Sequence, residues 1–336
     1  MNLFGKDLDS ETVFVAEIGV NHEGDIAAAK RMISLAKEAG AHAAKLQSYT
    51  PARYATASDP ERLKRVTQFS LTEEQHRQLA DHARLTELPL FSTPLTEDWV
   101  PLLSELFPVI KIASGDITFR PVLSAAARTG KPIILSTGGS TFDEINQAIA
   151  WLRDEIGDEA LTDRIMILQC TSSYPCPVDE VNLASIPFLA EKTGLRVGFS
   201  NHMIGLEACF AAIALGAGLI EAHFTDSRSG RSFRDHELSL EPAEFARLVS
   251  EGPKWRSMRG HVGKIVQPSE VSVRPAIRKG VIASHALKPG DVLSLQNLAY
   301  ARPATEFAAS ELPTLIGRRL KAPVGSGELI RKADLE

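Results

Sequence analysis

The stretch AEIGVNHEGD (16–25) begins as an apolar strand and then crowds Glu17, Asn21, His22, Glu23 and Asp25 together. Carboxylate, imidazole and amide groups at the mouth of a strand are a set that can move protons or hold a cation. Lys45 in AAKLQSY and Lys111 in VIKIASG are ammonium groups embedded in apolar runs, which makes neither of them an ordinary surface ion-pair partner. Beside them stand hydroxyl side chains and the turns SGD, STGGS and SNH, the first two of which contain glycine. Ammonium, hydroxyl and backbone N–H groups aimed at one place form a site for phosphate or carboxylate. His202 and His223 close two successive apolar segments. A lone strand-end histidine is usually a hydrogen-bonded core residue. Two, with Glu17 and Asp235 as oxygen-bearing neighbours, suit a divalent cation such as Mn²⁺, Mg²⁺, Co²⁺ or Zn²⁺.

These residues need a scaffold that brings distant strand ends together. Eight short β-branched or apolar segments recur: 13–19, 43–49, 88–94, 109–115, 132–138, 165–172, 196–202 and 218–225. Between them lie stretches of helical periodicity such as 25–40, 72–85, 141–157 and 205–218, several stopped by glycine. Continuous apolar strands alternating with helices imply a parallel sheet covered outside, and eight units imply an α/β fold of the (β/α)8 TIM-barrel type. A doubly wound open sheet is the alternative, but no G-x-G-x-x-G follows the first strand. Every segment ends polar, at Glu17; Lys45 and Gln47; Ser92 and Thr93; Lys111 and Ser114; Ser136 and Thr137; Thr171, Ser172 and Tyr174; Ser200, Asn201 and His202; His223 and Thr225. In such barrels the C-terminal strand ends carry the active site.

Composition agrees with a globular chain. It has 336 residues, 44% hydrophobic and 24% charged, with a formal net charge of −5, which excludes nucleic-acid binding by bulk charge. No apolar run reaches the roughly 18 residues of a membrane span, and the N-terminal residues have neither a basic start nor an apolar signal core. Three cysteines, Cys170, Cys176 and Cys209, match no zinc spacing and fit a reducing, cytoplasmic setting.

Taken in order, EIGVNHEGD, KLQSY, FSTP, KIASGD, LSTGGS, QCTSSYPCP, GFSNHMIG, EAHFT and DHELSLEP resemble the strand-end motifs of the sialic acid synthase family, the phosphoenolpyruvate-dependent nonulosonate synthases. The resemblance covers most of residues 13–335. It implies condensation of phosphoenolpyruvate with an N-acetylmannosamine-type amino sugar to give a nine-carbon 2-keto-3-deoxy acid and phosphate. Residue by residue, it implies that Lys45, Thr93, Lys111, Ser114, Ser136, Ser172 and Ser200 hold phosphoenolpyruvate. His202 and His223 would bind the divalent metal, usually Mn²⁺, with Mg²⁺ or Co²⁺ as alternatives. Glu17 would be the site carboxylate, while Gln47, Tyr174 and Asp235 would meet the sugar. Catalysis would then rest on Glu17, His202, His223 and Lys111.

Several positions depart from the family pattern. Asp116 stands where many members have Glu, Ser172 replaces a common Asn, and Asn201 replaces the usual Asp. SGRSFRDH replaces a PGPDH-like loop and adds Arg231 and Arg234 beside Asp235. The changes gather on the acceptor side, so the acceptor is expected to be unusual. Ala276 or Ile277 stands where some relatives present an aromatic to the sugar.

The βα rhythm places a barrel at 1–255, a Gly/Pro-rich, charged linker at 256–275 and a small β-rich domain at 276–336. In the last, ALKPGDVLSLQNL (286–298) weakly repeats in PVGSGELIRKADL (323–335). This part resembles the antifreeze-like SAF module of the same synthases. The resemblance implies a domain-swapped homodimer in which the module supplies Arg302, in ARPA, to the partner's sugar. Two other readings stay open: a phosphoenolpyruvate aldol enzyme acting on a phosphorylated aldose, with Arg231 and Arg234 on its phosphate, and a sugar-binding relative without turnover.

Overall fold

In the computed structural model, which describes residues 1–336, the eight segments become parallel strands: β1 Val13–Gly19, β2 Ala43–Ser48, β3 Leu90–Pro94, β4 Ile110–Ile112, β5 Ile133–Ser136, β6 Ile165–Gln169, β7 Arg196–Asn201 and β8 Leu219–His223. They form a closed barrel in sequence order, with β8 returning to pair with β1 from Leu219↔Val13 to His223↔Glu17. The (β/α)8 expectation holds and the open sheet does not. Every residue of β1, β3, β4, β5, β6 and β8 is buried. That is why these segments read as continuous apolar runs: a parallel strand meets the barrel interior on one face and helices on the other.

The helices that cover the barrel start on local signals. Asp25 accepts from the Ala27 N–H to cap helix Ile26–Glu38, so one of the crowded acids of the opening stretch is a cap. Thr72 with Gln75 and Thr141 with Glu144 form capping boxes for helices Glu73–Leu85 and Phe142–Ile156, each cap contributing about 1 kcal/mol. Helix Pro242–Arg259 lies so close to β1 that a Cβ on Gly252 would stand 2.3 Å from the Phe14 ring. A short hairpin, Asn2–Leu3 with Lys6–Asp7, adds Leu3 to the barrel core and brings the Phe4 ring within 5.2 Å of Phe91. No helix is long and apolar enough to cross a membrane. All three cysteines are buried and unpaired.

The chain divides into two compact units, Met1–Gly260 and His261–Glu336. The second has its own core, including Val281, Leu293, Leu315, Leu320 and Ile330, and one antiparallel strand pair, Gly280–Ala283 with Leu298–Ala301. Its sequence repeat is a structural repeat. Lys288 N–H donates to Asp291 as Gly325 N–H does to Glu328, and Ser294 N–H donates to Asn297 as Arg331 N–H does to Asp334. Gly290 and Gly327 occupy the same left-handed turn position, at φ +91° and +80°.

Candidate active site

The C-terminal ends of the strands enclose a cavity of about 500 Å³, a size suited to small molecules. Strand register sets His223, Glu17 and Lys45 in one row across β8, β1 and β2. The row is kept open by Gly19, at φ +55°, where a Cβ would lie 3.0 Å from Glu17 Oε1 and 3.3 Å from Gln47 Nε2. Lys45 Nζ lies 2.9 Å from Glu17 Oε1 and 3.6 Å from Glu221 Oε1, and donates to Thr93 Oγ1 at 3.1 Å. Lys111 Nζ donates to Ser136 Oγ and to the Ile112 carbonyl. Ser200 Oγ donates to Glu221 Oε1, and Gln47 Nε2 to Glu17 Oε1. Beside them Gly138 N–H donates to Ser114 Oγ at 3.0 Å. A Cβ on Gly138 would come within 2.4 Å of Ser172 Oγ and 2.9 Å of Cys170 Sγ, so only glycine lets these side chains converge.

Four buried charges at such range set one another's protonation. Burial raises the Glu17 carboxyl, and although Lys45 pulls it back, the group ends at about 7. Glu221 is equally buried but faces both Lys45 and Lys111, which outweigh the burial and hold it low. For Lys45, burial favours the neutral amine, yet Glu17 and Glu221 overcome it and the ammonium is retained. Lys111 has no contacting carboxylate, and burial lowers it. Of the two carboxylates, therefore, Glu17 is the one that exchanges a proton near neutrality.

The histidines stand beside Glu17, His223 as its register partner and His202 directly after β7. His202 Nδ1 lies 2.7 Å from the Thr171 carbonyl and must donate to it, which leaves the Nε2 lone pair free. Burial, with His223 adding to it, lowers His202 to about 4, so the imidazole is neutral. The two rings are 5.5 Å apart between centroids, and His223 Nδ1, Glu17 Oε2 and Glu221 Oε2 are buried without a partner. Unpartnered buried acceptors beside a neutral imidazole fit a cation. No three His, Cys, Asp or Glu side chains converge into a full ligand set, however. Of the two expected oxygen-bearing neighbours, both line the same cavity as the histidines; Glu17 turns Oε1 to Lys45, and Asp235 accepts from Arg234 at 3.0 Å.

The remaining wall mixes aromatic, apolar and basic groups. Tyr174 packs on His202 at 4.2 Å between ring centroids, and the Arg234 guanidinium lies 4.8 Å over the Tyr174 ring. Val20, Val66, Phe69, Leu95 and Phe233 form an apolar patch, with Arg62 and Arg65 beside it.

Thirteen of the side chains expected from sequence line this one cavity: Glu17, Lys45, Gln47, Thr93, Lys111, Ser114, Ser136, Ser172, Tyr174, Ser200, His202, His223 and Asp235. Arg302 is exposed in the second unit. Several other polar strand ends do not reach the cavity. Ser92 joins a buried Ser48–His76 hydroxyl chain, Thr137 and Thr171 donate to carbonyls, and Asn201 donates to Met203 O. Arg231 is turned away, onto Glu23 and Asp226. Glu221 was not anticipated, although its signal is present: an acid inside the apolar run GLIEAHFT, two positions before His223, as anomalous there as Lys45 is in β2.

Comparison with known proteins agrees with this geometry. Residues 32–264 match the NeuB family and residues 278–336 the SAF domain. The chain is 35% identical to N,N'-diacetyllegionaminic acid synthase of Campylobacter jejuni, over 96% of this chain and 99% of that one. It is 30% identical to human N-acetylneuraminate-9-phosphate synthase, over 94% and 90%. The crystal structure of N-acetylneuraminic acid synthetase from Leptospira borgpetersenii in complex with citrate superimposes with a TM-score of 0.74 at 32% identity, covering 80% of this chain and 92% of that one. With a family match spanning most of the barrel and relatives aligned along nearly the whole chain, the protein belongs to the NeuB family.

Proposed function

We propose that this protein condenses phosphoenolpyruvate with an N-acetylmannosamine-type amino sugar, yielding a nine-carbon 2-keto-3-deoxy acid and phosphate. The observation that carries the reading is the convergence, on one cavity, of two buried lysines, a set of hydroxyls and two imidazoles. Lys45 and Lys111, with Thr93, Ser114, Ser136, Ser172 and Ser200, bind the phosphate and carboxylate of phosphoenolpyruvate. Gln47, Tyr174 and Asp235 orient the sugar so that its carbonyl carbon faces C3 of phosphoenolpyruvate. His202 and His223 would hold a divalent cation, Mn²⁺ by resemblance, with Mg²⁺ or Co²⁺ as alternatives. Bound there, it supplies a Lewis acid for the carbonyl oxygen. Glu17, ionised above about pH 7 and oriented by Gln47, accepts a proton from the water that adds at C2, and phosphate departs.

Six aliphatic residues exposed along the segment before the SAF strands, Val262, Ile265, Val266, Val271, Val273 and Ile277, favour burial against another copy. They support a homodimer in which each SAF domain brings Arg302 to its partner's sugar.

The test is phosphate release from phosphoenolpyruvate with Mn²⁺ across N-acetylmannosamine, its 6-phosphate and diacetamido-trideoxy hexoses. Release with one sugar supports the synthase and names the acceptor. No release with any, while phosphoenolpyruvate still binds, favours a sugar-binding relative. Arg62 and Arg65 on the cavity wall favour the 6-phosphate; the apolar patch beside them favours the trideoxy sugars.

A further inference from the structure

We propose that Asn21 and Glu23 are positioning residues for the acceptor side of the cavity: the loop after β1 braces the helix Arg234–Leu238 from behind and so fixes Asp235. The inference rests on the assignment of Asp235 to the sugar. Phe233, Arg234 and Asp235 line the cavity, whereas Asn21, Glu23 and His236 do not. They form two struts behind the helix.

The first strut is an amide. Asn21 is fully buried, and its Nδ2 donates at 2.9 Å both to the Phe224 carbonyl and to Ser239 Oγ. Ser239 Oγ donates in turn to the backbone carbonyl of Asp235 at 2.6 Å. One hydroxyl therefore separates Asn21 from the main chain that carries Asp235. The second strut is charged. Glu23 Oε1 lies 3.2 Å from His236 Nε2 and accepts from Arg231 at 3.3 Å. His236 is 1% exposed, with Nδ1 2.8 Å from Thr225 Oγ1. A neutral imidazole protonated on Nε2 satisfies both contacts, donating to Glu23 and accepting from the Thr225 hydroxyl. Arg231 continues the chain to Asp226, which Arg31 also holds.

The backbone is bent to make this reach. Glu23 has φ +50°, a left-handed conformation that costs a side-chain-bearing residue roughly 1–2 kcal/mol. The next residue, Gly24, has φ +87°, and a Cβ there would stand 2.2 Å from the Gln68 carbonyl oxygen. A strained turn that aims a carboxylate at a buried imidazole is consistent with a role in holding geometry. Misplacing an orienting group by about 1 Å costs on the order of 10²-fold in rate.

The test compares Asn21→Ala, Glu23→Ala and Glu23→Gln in the full-length enzyme. Glu23→Ala and Asn21→Ala should raise the KM for the sugar about tenfold or more and leave the KM for phosphoenolpyruvate within about twofold. Glu23→Gln, which still accepts from His236 and Arg231, should recover most of the sugar KM. If Asn21→Ala does not fold, the two Glu23 variants decide. Hydrogen exchange provides a readout independent of turnover: amides of residues 234–239 should exchange faster in Glu23→Ala, with the barrel strands unchanged. Equal rises in both KM values, a native sugar KM in Glu23→Ala, or unaltered exchange at 234–239 would overturn the brace. Absence of turnover by the native enzyme with every sugar would count against the synthase reading, and the exchange comparison would still decide whether the brace exists.

Discussion

At the scale of single residues, the cavity shows how far chemistry can be read from type and place. Lys45, Lys111, His202 and His223 were legible because each is a polar group in an apolar strand or, for His202, directly after one, a combination that burial makes costly without a use. Glu221 obeys the same rule, but its use was not legible, because its partners Lys45 and Ser200 lie on other strands, β2 and β7, and meet it only through the register of the closed barrel. The roles of Asn21 and Glu23 were illegible for a different reason: their partners, Ser239 and His236, lie more than two hundred residues away. Glu17 carries a direct prediction. It must be ionised to accept a proton, so kcat/KM should rise as pH climbs through about 7. Glu17→Gln should lose that limb and about 10²–10⁴-fold in kcat. A native profile flat between about pH 6 and about pH 8 would remove Glu17 from the role.

At the scale of elements, all eight strands and four of the helices were legible from period and glycine stops, because local propensity and burial agree in them. The longest helix, Pro242–Arg259, was not, since Pro253 and the charges around it read as a linker, and the expected boundary at 255 falls inside it. The N-terminal hairpin was not, since its strands are two residues each and a few apolar side chains, Met1, Leu3, Phe4 and Leu8, tie it to the barrel. The polar strand ends could not be sorted in advance either. Thr93 faces the cavity and its neighbour Ser92 does not, a distinction set by the pleat. Two glycines separate packing from function. Gly252→Ala would press on the Phe14 ring and should cost about 1–3 kcal/mol of stability, read as a lower Tm with both KM values unchanged. Gly138→Ala would press on Ser172, Cys170 and Ser114 instead. It should raise the KM for phosphoenolpyruvate with little change in Tm, and the reverse pattern would place Gly138 outside the anion site.

At the scale of the whole molecule, each unit holds a separate core. A chain ended at Gly260 should therefore keep a cooperative thermal transition, yet turn over poorly if the SAF domain supplies Arg302. Arg302→Ala in the full chain should raise the KM for the sugar alone. Native kinetics in both variants would leave Arg302 a surface charge. The pairing of β8 with β1 has a further consequence, in time. On a ribosome adding about 5–20 residues per second, β1 is finished roughly 10–40 s before its partner is made. Through that interval its backbone edge has no native neighbour on that side, and such an edge invites pairing with another chain. The last contact made in closing the barrel is also the one that completes the His223–Glu17–Lys45 row, so an active site and a safe edge should arise in the same step.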